Sequence, residues 1–243
     1  MDIDKLKNIL IYEKNNKIKD SLYHYSQVIF AYNSNKIEGS KLTEEETEAI
    51  FNDKRITSKN SDDIIEAQNH FKLFDFILDN IDELLSKEMI IRMNVILKNN
   101  TSDAKNPKYN VGGFKTVPNI IGVFNVINTS SPEDCENDLD DLLRIYNKKE
   151  KITLDDIIDF HVAFERIHPF GDGNGRVGRI IMFKECLKNN IMPFIILDED
   201  RPYYMRGLKE YNRDRAYLID TIKKEIDYYE NVYKYFKCEK VGE

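Results

Sequence analysis

Residues 168 to 179, HPFGDGNGRVGR, concentrate residue types that could do chemistry. The stretch holds one histidine, one aspartate, two arginines and four of the chain's ten glycines. Pro169 disfavours helical geometry at His168, so we expect a helix over residues 153 to 167 to end there and leave the imidazole at its exit. A second helical pattern begins near Asn174, which places the glycines in a loop between two helices and at the start of the second.

The glycines and arginines of this stretch predict a site for a polyphosphate. Glycine lets backbone N–H groups converge in conformations that other residues avoid, and converging amides at a helix N-terminus bind anions. Arg176 and Arg179 are three positions apart and project from one side of the first turn. Two guanidiniums beside such a loop suit phosphates, because each can donate forked hydrogen bonds to phosphate oxygens. The glycines concerned are Gly171, Gly173 and Gly175.

Two further side chains predict what happens to the bound phosphates. His168, with an ordinary pKa near ~6.5, can be uncharged at neutral pH and take a proton from an incoming hydroxyl. Asp172 would be out of place beside a bare anion, but it suits Mg²⁺, which binds one or two carboxylates together with substrate phosphates. The stretch is not a P-loop, since GxxxxGK[ST] is missing, nor a Rossmann turn, since no strand precedes it.

A second signal lies upstream in NSNKIEGS, at the end of an amphipathic helix predicted over residues 21 to 38. Ser34 and Glu38 are four positions apart and share a face, and Gly39 is placed to end the helix. A glutamate in the last turn is unfavourable against the helix dipole, which suggests a partner cation. The same letters are also compatible with an ordinary solvated helix end.

The remaining elements are predicted to be helical, with one exception. Apolar residues recur at helical spacing over most of the chain. Thr43 with Glu46, Ser131-Pro132 with Asp134, and Thr153 with Asp156 resemble capping boxes. The segment GGFKTVPNIIGVFNVI is rich in β-branched residues, and its Pro118-Asn119 pair predicts the turn of a short β-hairpin. No repeat or linker marks a boundary. We therefore predict an all-α fold, one domain over residues 1–243 with a single short hairpin.

Composition excludes several classes of function. The chain has 36 Lys and Arg against 43 Asp and Glu, a formal net charge of −7, which argues against nucleic-acid binding. No apolar run approaches the ~18 residues of a membrane span, and the N-terminus is too charged for a signal peptide. Three distant cysteines, Cys135, Cys186 and Cys238, favour buried thiols over disulfides or a zinc site. We expect a soluble cytoplasmic protein.

The stretch at 168–179 resembles the signature of the Fic family, HxFx[D/E]GNGRxxR, at every defined position. The resemblance implies an all-α core in which this motif joins two helices and a nearby β-hairpin, the flap, holds the target. It implies transfer of AMP from ATP to a hydroxyl side chain of a target protein, or of the protein itself. KYNVGGFKTVPNIIG resembles the flap, and RPYYMRGLKEYNRD resembles the helix that receives the adenine. The implied parts are N-terminal helices over 1–40, a core over 41–200 with the flap at about 112–127, and C-terminal helices over 201–243.

The family's site roles are then expected at matching positions. His168 would be the base and Asp172 the Mg²⁺ ligand, while Phe170 would anchor the loop in the core. The nucleotide-binding set would comprise Gly171, Gly173, Asn174 and Gly175 on phosphate oxygens, Arg176 and Arg179 on the outer phosphates, and Tyr204 and Asn212 on the adenine side. The target-positioning residues of the flap would be Phe114, Lys115, Thr116 and Val117.

SNKIEG resembles the inhibitory [S/T]xxxE[G/N] motif of Fic proteins that carry an N-terminal inhibitory helix. The resemblance implies that Glu38 pairs with Arg179 and inhibits the enzyme, and that Ser34 stabilises that end of the helix. Three alternatives remain open from the sequence: removal of AMP from a modified protein with Glu38 positioning a water, a different nucleotide donor, and a catalytically silent helical binding module. A homo-oligomer is compatible with the sequence, which does not identify the target protein.

Overall fold

The helical spacing of the sequence produces ten α-helices in the computed structural model, which describes residues 2–56, 60–121 and 127–239. This confirms the predicted all-α fold. The helices are α1 (Ile3–Asn16), α2 (Leu22–Ile37), α3 (Glu44–Phe51), α4 (Ser61–Asp79), α5 (Lys87–Lys98), α6 (Cys135–Asn147), α7 (Leu154–Ile167), α8 (Asn174–Lys188), α9 (Arg201–Glu210) and α10 (Ala216–Glu239). Short 3₁₀ turns occur at Asp103–Lys105, Pro107–Tyr109 and Asp198–Asp200.

Capping side chains determine where two of these helices begin. The Thr43 hydroxyl accepts from the Glu46 N–H at the start of α3, and the Thr153 hydroxyl accepts from the Asp156 N–H at the start of α7. In each case the carboxylate three positions on returns a bond to the threonine N–H, at 2.9 and 2.8 Å. These two predicted capping boxes are confirmed, whereas the third is wrong, because α6 begins at Cys135 with Asp134 as its N-cap and without a side-chain cap bond.

The end of α2 is set by a glycine. Gly39 has a φ of +102°, in the left-handed region that other residues adopt only with strain. The chain turns there so that the Ser40 N–H donates to the Asn35 carbonyl at 3.0 Å and the Gly39 N–H donates to the Lys36 carbonyl at 2.9 Å. This ending makes Glu38 the C-cap of α2.

The helices α7 and α8 lie at the centre of the core. One continuous cluster of buried apolar side chains runs from Ile3 of α1 to Tyr233 of α10 and includes apolar residues of both α7 and α8. A Cβ atom on Gly178 would lie 2.9 Å from His161 Nδ1 and from Glu165 Oε1, so α8 reaches this distance from α7 only with glycine there. The division of the chain into three parts stays a prediction.

The hairpin exists, but the predicted turn is wrong. Strands β1 (Ile120–Ile121) and β2 (Ile127–Asn128) pair antiparallel, with Ile121 opposite Ile127. Residues 122–126 lie outside the described residues. Pro118 and Asn119 precede β1. Asn119 is used instead to anchor the base of the hairpin, since its side-chain amide donates to the Phe170 carbonyl at 3.0 Å.

Cys135 and Cys186 are buried free thiols, as predicted, while the side chain of Cys238 lies outside the described part. In the residues that the structure describes, every helix is too short or too polar to cross a lipid bilayer.

Candidate active site

The loop between α7 and α8 begins with a histidine in an unusual backbone conformation. His168 is the C-cap of α7, with φ 50° and ψ 59°, and its N–H donates to the Phe164 carbonyl at 2.9 Å. The following proline prevents helical continuation, so the helix ends at Ile167 as predicted. The left-handed turn leaves the imidazole at the exit of α7.

The contacts of His168 determine which ring nitrogen can act as a base. Its Nδ1 lies 3.1 Å from the carbonyl oxygen of Glu165. A carbonyl can only accept a hydrogen bond, so Nδ1 carries the proton and Nε2 keeps its lone pair. Burial lowers the pKa of His168, which keeps the ring neutral at neutral pH. The imidazole is therefore held in the tautomer and charge state of a general base.

Phe170 and Asn174 hold the loop in shape. Phe170 is buried, and its ring stacks on Phe114 with an interplanar angle of 4°. The Phe170 N–H donates to Asn174 Oδ1, and Asn174 Nδ2 donates back to the Phe170 carbonyl, both at 2.9 Å. The anchoring role of Phe170 agrees with the prediction. Both ends of the Asn174 amide are engaged within the loop, and the phosphate contact expected from this side chain stays a prediction.

Each glycine of the loop is required for a different structural reason. Gly173 is the N-cap of α8, with a φ of +84°. A Cβ on Gly171 would lie 2.6 Å from the Tyr109 carbonyl oxygen, and one on Gly175 would lie 2.4 Å from Glu38 Oε1. Glycine at these positions thus allows the loop to pack against Tyr109 and the start of α8 to pack against the Glu38 carboxylate.

Arg179 is paired with the end of α2, as the sequence predicted. Its Nη2 lies 2.7 Å from Glu38 Oε1, its Nε donates to Ser34 Oγ at 3.0 Å, and its Nη2 also donates to the Ser34 carbonyl at 3.0 Å. The Arg179 side chain is 2% exposed and that of Glu38 is 37% exposed. Desolvation opposes ionisation of Glu38, but the charges of Arg179 and Arg176 outweigh it and lower the pKa of the carboxyl.

The guanidinium of Arg176, like that of Arg179, is already bonded to side chains of the protein. Its Nη1 lies 2.5 Å from Glu66 Oε2 and 3.3 Å from Asn35 Oδ1, and its Nη2 lies 2.8 Å from Asp172 Oδ2. Its side chain is 3% exposed. Two carboxylates, Glu66 and Asp172, thus hold the Arg176 guanidinium in this structure, and its role on the outer phosphates stays a prediction.

Asp172 belongs to a larger charged cluster that the sequence did not reveal. Lys98 Nζ lies 2.6 Å from Asp172 Oδ2, and carboxylate oxygens of Glu66, Asp103 and Asp172 all lie within 4.8 Å of one another. Burial opposes ionisation of Asp172, but the charges of Arg176 and Lys98 lower its pKa to about 2. Hard carboxylate oxygens in the ionised state fit Mg²⁺. The cluster draws on three chain segments, so no local spacing could have found it.

A cavity of about 250 Å³ opens next to His168 and Arg179. Tyr204 of α9 lines it, but its hydroxyl is bonded to His161 Nε2 at 2.7 Å and its ring is buried. Asn212 is exposed, accepts from Arg166 Nη1 at 2.7 Å and does not line this cavity, and its role on the adenine side stays a prediction. The lining residues are Ile37, Glu38, Glu165, His168, Gly175, Arg179, Arg201, Tyr204, Met205 and Leu208.

The segment before the hairpin is fastened to the motif loop. Lys115 is 2% exposed, its N–H donates to the Pro169 carbonyl at 2.8 Å, and its Nζ donates to the Ile167 carbonyl at 3.0 Å. The Lys115 ammonium is therefore bonded within the base of the hairpin, and the expected part of Lys115 in positioning the target stays a prediction. Phe114 is half-buried, whereas Thr116 and Val117 are exposed beside the site.

Glu165 is a further site residue that the sequence analysis missed. Its carboxyl is 5% exposed and lies against His161 and Gly178, with Oε2 3.8 Å from His168 Nδ1. Burial raises the pKa of Glu165 to about 8, against the opposing charge of Arg179. Its position three residues before His168 on the same helix was the signal available in the sequence.

Comparisons with known proteins agree with this geometry. A model of the Fic/DOC family matches residues 84–186. A probable protein adenylyltransferase of Aquifex aeolicus is 33% identical over 84 residues, which are 34% of this chain and 26% of that protein. The protein adenylyltransferase fic-1 of Caenorhabditis elegans is 26% identical over 191 residues, 74% of this chain and 35% of the relative. The chain thus spans about a third or less of these relatives.

Solved structures share the fold. A Fic domain containing signaling protein from Bacteroides thetaiotaomicron superimposes with a TM-score of 0.73 at 21% identity, covering 90% of this chain and 89% of that one. A Fic family protein from Desulfovibrio desulfuricans gives 0.72 at 19% identity, covering 96% and 73%. At these identities the likeness concerns the arrangement of the helices.

Proposed function

The chain is a Fic family protein, and on that premise we propose that it transfers AMP from Mg-ATP to a hydroxyl side chain of a protein. The observation that carries the proposal is the orientation of His168. Its Nδ1 is engaged by the Glu165 carbonyl, so its Nε2 is the ring atom available as a base. The ring lines the same cavity as Arg179 and Gly175, where a nucleotide phosphate would be held.

In the proposed reaction the site residues form no covalent bond with the nucleotide. The target hydroxyl oxygen attacks the α-phosphorus of ATP, a P–O bond forms to AMP, and the P–O bond to pyrophosphate breaks. His168 Nε2 accepts the hydroxyl proton. The amides at the start of α8 and the Arg179 guanidinium bind phosphate oxygens, so the protein contributes positioning and charge neutralisation. Mg²⁺ held by Asp172 would neutralise phosphate charge.

The same site contains its own inhibitor in this proposal. Glu38 Oε1 occupies a donor of Arg179 at 2.7 Å, and a phosphate oxygen would need that donor. Gly175 lies directly beneath the carboxylate, so Glu38 also lies close to the first turn of α8. ATP entering this state would be held away from the geometry in which its α-phosphate faces His168. Release of Glu38 therefore precedes productive binding.

The target would approach over the exposed part of the flap. Thr116 and Val117 are exposed next to a motif loop that Lys115 and Asn119 fasten to the hairpin base. An extended segment that pairs with the edge of a short hairpin is recognised mainly through its backbone. This mode suits a protein substrate whose modified hydroxyl projects toward His168.

A second candidate, removal of AMP from a modified protein, is favoured by one observation. The Glu38 carboxylate and the His168 ring line the same cavity, so a water between them would have a base on each side. In that reaction water attacks the phosphorus of the AMP ester and the protein hydroxyl leaves with a proton.

The test of the proposed function is direct. The protein and its His168→Ala variant are incubated with α-phosphate-labelled ATP, Mg²⁺ and cell lysate, and labelled proteins are analysed by mass spectrometry. Label on Ser, Thr or Tyr as an AMP adduct with the wild type alone supports transfer. Absence of label, together with release of AMP from a previously modified protein, supports the second candidate instead.

A further inference from the structure

Lys98, the last residue of α5, is a buried ammonium at the centre of three carboxylates. Its side chain is 2% exposed. Its Nζ lies 2.5 Å from Glu66 Oε1, 2.6 Å from Asp103 Oδ2 and 2.6 Å from Asp172 Oδ2. The three carboxylates come from α4, from the 3₁₀ turn after α5 and from the motif loop. A lysine is rarely buried this far without such partners.

One carboxylate oxygen of Asp172, Oδ2, already accepts two hydrogen bonds within this cluster. Oδ2 of Asp172 accepts from Lys98 and also from Arg176 Nη2 at 2.8 Å. Two donors occupy the lone pairs of a carboxylate oxygen. A divalent cation that takes this oxygen must therefore displace at least one of the two side chains.

Lys98 is better placed to move than Arg176. If Lys98 leaves Asp172, it keeps Glu66 and Asp103 as acceptors, so its charge stays compensated. Arg176 would keep only Glu66 as a charged partner, and its Nε already lacks a hydrogen-bond partner. The cluster thus offers the ammonium an alternative position within itself.

We propose that Lys98 is an internal counter-ion of Asp172. Its ammonium bonds to the Asp172 carboxylate in the metal-free protein and moves off that carboxylate when a divalent cation binds. Lys98 is accordingly a positioning residue that sets the affinity of the site for the metal. The ammonium prevents repulsion among three carboxylates when no metal is present, and it competes with the metal for Asp172. The inference rests on the proposed function only through the role of Asp172 as metal ligand.

The test measures metal binding without nucleotide or transfer. Mn²⁺ is titrated into the full chain and free Mn²⁺ is read by electron paramagnetic resonance, for the wild type, Lys98→Met and Lys98→Arg. Loss of a unit charge about 4 Å from a cation changes its binding strongly even at an effective dielectric constant of about 20. We expect Lys98→Met to bind Mn²⁺ at least about tenfold more tightly, and Lys98→Arg to bind no more tightly than the wild type. The gain should vanish in Lys98→Met/Asp172→Asn.

A second pair of variants covers the case in which Lys98→Met does not fold. Asp103→Asn removes one acceptor that would retain the displaced ammonium, so Lys98 should hold Asp172 more strongly and Mn²⁺ should bind more weakly. Asp62→Asn is the matched control. Asp62 lies on α4 and accepts from Ser102, the residue directly before Asp103, but it is not a partner of Lys98. A folded Lys98→Met that binds no more tightly than wild type, or equal effects of Asp103→Asn and Asp62→Asn, would overturn the proposal.

These outcomes are separate from those of the proposed function. The Mn²⁺ titration tests the counter-ion role of Lys98 whether or not the chain transfers AMP. The labelling experiment tests AMP transfer by the wild-type protein and does not depend on the role of Lys98. Tighter Mn²⁺ binding by Lys98→Met in a chain that labels no protein would support the counter-ion and count against transfer.

Discussion

Arg179 and Glu38 form an ion pair of 2.7 Å across 141 positions of the chain. Ser34, one turn earlier on α2, accepts from the same guanidinium through its hydroxyl and its carbonyl. Three acceptors thus converge on the side chain that would hold an outer phosphate. The contact links the N-terminal helices to the motif loop and makes α2 part of the site.

Replacing Glu38 should release the site. We expect Glu38→Gly to raise the initial rate of AMP transfer at saturating Mg-ATP by about 5–150-fold, since a coupling of this kind is worth roughly 1–3 kcal/mol. Glu38→Gln, which keeps the shape but loses the charge, should give a smaller gain in the same direction. The exposed Glu45→Gln on α3 serves as control. A Glu38→Gly protein no faster than wild type would mean that the ion pair does not inhibit.

Removing the His168 imidazole should separate chemistry from binding. We expect His168→Ala to lower transfer by about 10²–10⁴-fold, the usual contribution of a general base, while Mg-ATP binding measured by calorimetry stays close to wild type. The proposed nucleotide contacts lie on α8, including Arg179, and the substitution leaves them in place. His24→Ala is the control, because His24 stacks on Phe51 away from the motif. Substantial residual labelling by His168→Ala would reassign the base.

The transfer rate should depend on pH through His168. Burial lowers the pKa of this histidine from its ordinary value of 6.5, so the base is neutral and competent at neutral pH. As the pH falls, the ring becomes protonated and the rate should decline, with the midpoint below 6.5. The measurement is the initial rate of the Glu38→Gly variant between pH 4.5 and 8.5. A midpoint above 6.5 would contradict the neutral buried imidazole.

Glu165 should make the fold lose stability as the pH rises. Its pKa lies near 4.5 in the unfolded chain and about 8 in the fold, so between these values the unfolded chain is ionised while the folded group keeps its proton. Stability from this group is complete below pH 4.5 and falls until about pH 8. Glu165→Gln removes the penalty, and its free energy of unfolding should exceed that of wild type by on the order of 1–3 kcal/mol at pH 8 and by little at pH 5. Urea unfolding at the two pH values measures the difference, with exposed Glu133→Gln as control; an equal difference at both values would contradict the ionisation argument.

The flap should depend on the buried ammonium of Lys115. Its Nζ contacts Asn119, Thr129 and the Ile167 carbonyl, which ties both sides of the hairpin base to the end of α7. We expect Lys115→Met to lower target labelling at least about tenfold through loss of positioning, while Mg-ATP affinity changes less than threefold. The exposed Lys108→Met nearby is the matched control. If Lys115→Met labels targets as well as Lys108→Met does, the hairpin base does not position the target.

The sequence by itself determined the local geometry of the site. Pro169 ends α7 because its ring excludes helical geometry at His168, and Gly39 ends α2 because only glycine adopts that φ without strain. The proposed base role of His168 and the anchoring role of Phe170 follow from residue type within twelve positions. Such effects act between near neighbours in the chain, so spacing is enough to read them. The turn at Pro118-Asn119 was wrong because Asn119 bonds to Phe170, a tertiary contact.

Only the tertiary structure decided how the charges are distributed. Asn174 and Arg176 look like phosphate ligands in the sequence, yet their partners Phe170 and Glu66 already hold them. Lys98 carries no motif, and it becomes part of the site because α4, α5 and the motif loop bring three carboxylates to one ammonium. Ion pairs and pKa shifts depend on distance and burial in space, which residue spacing does not specify for segments far apart in the chain.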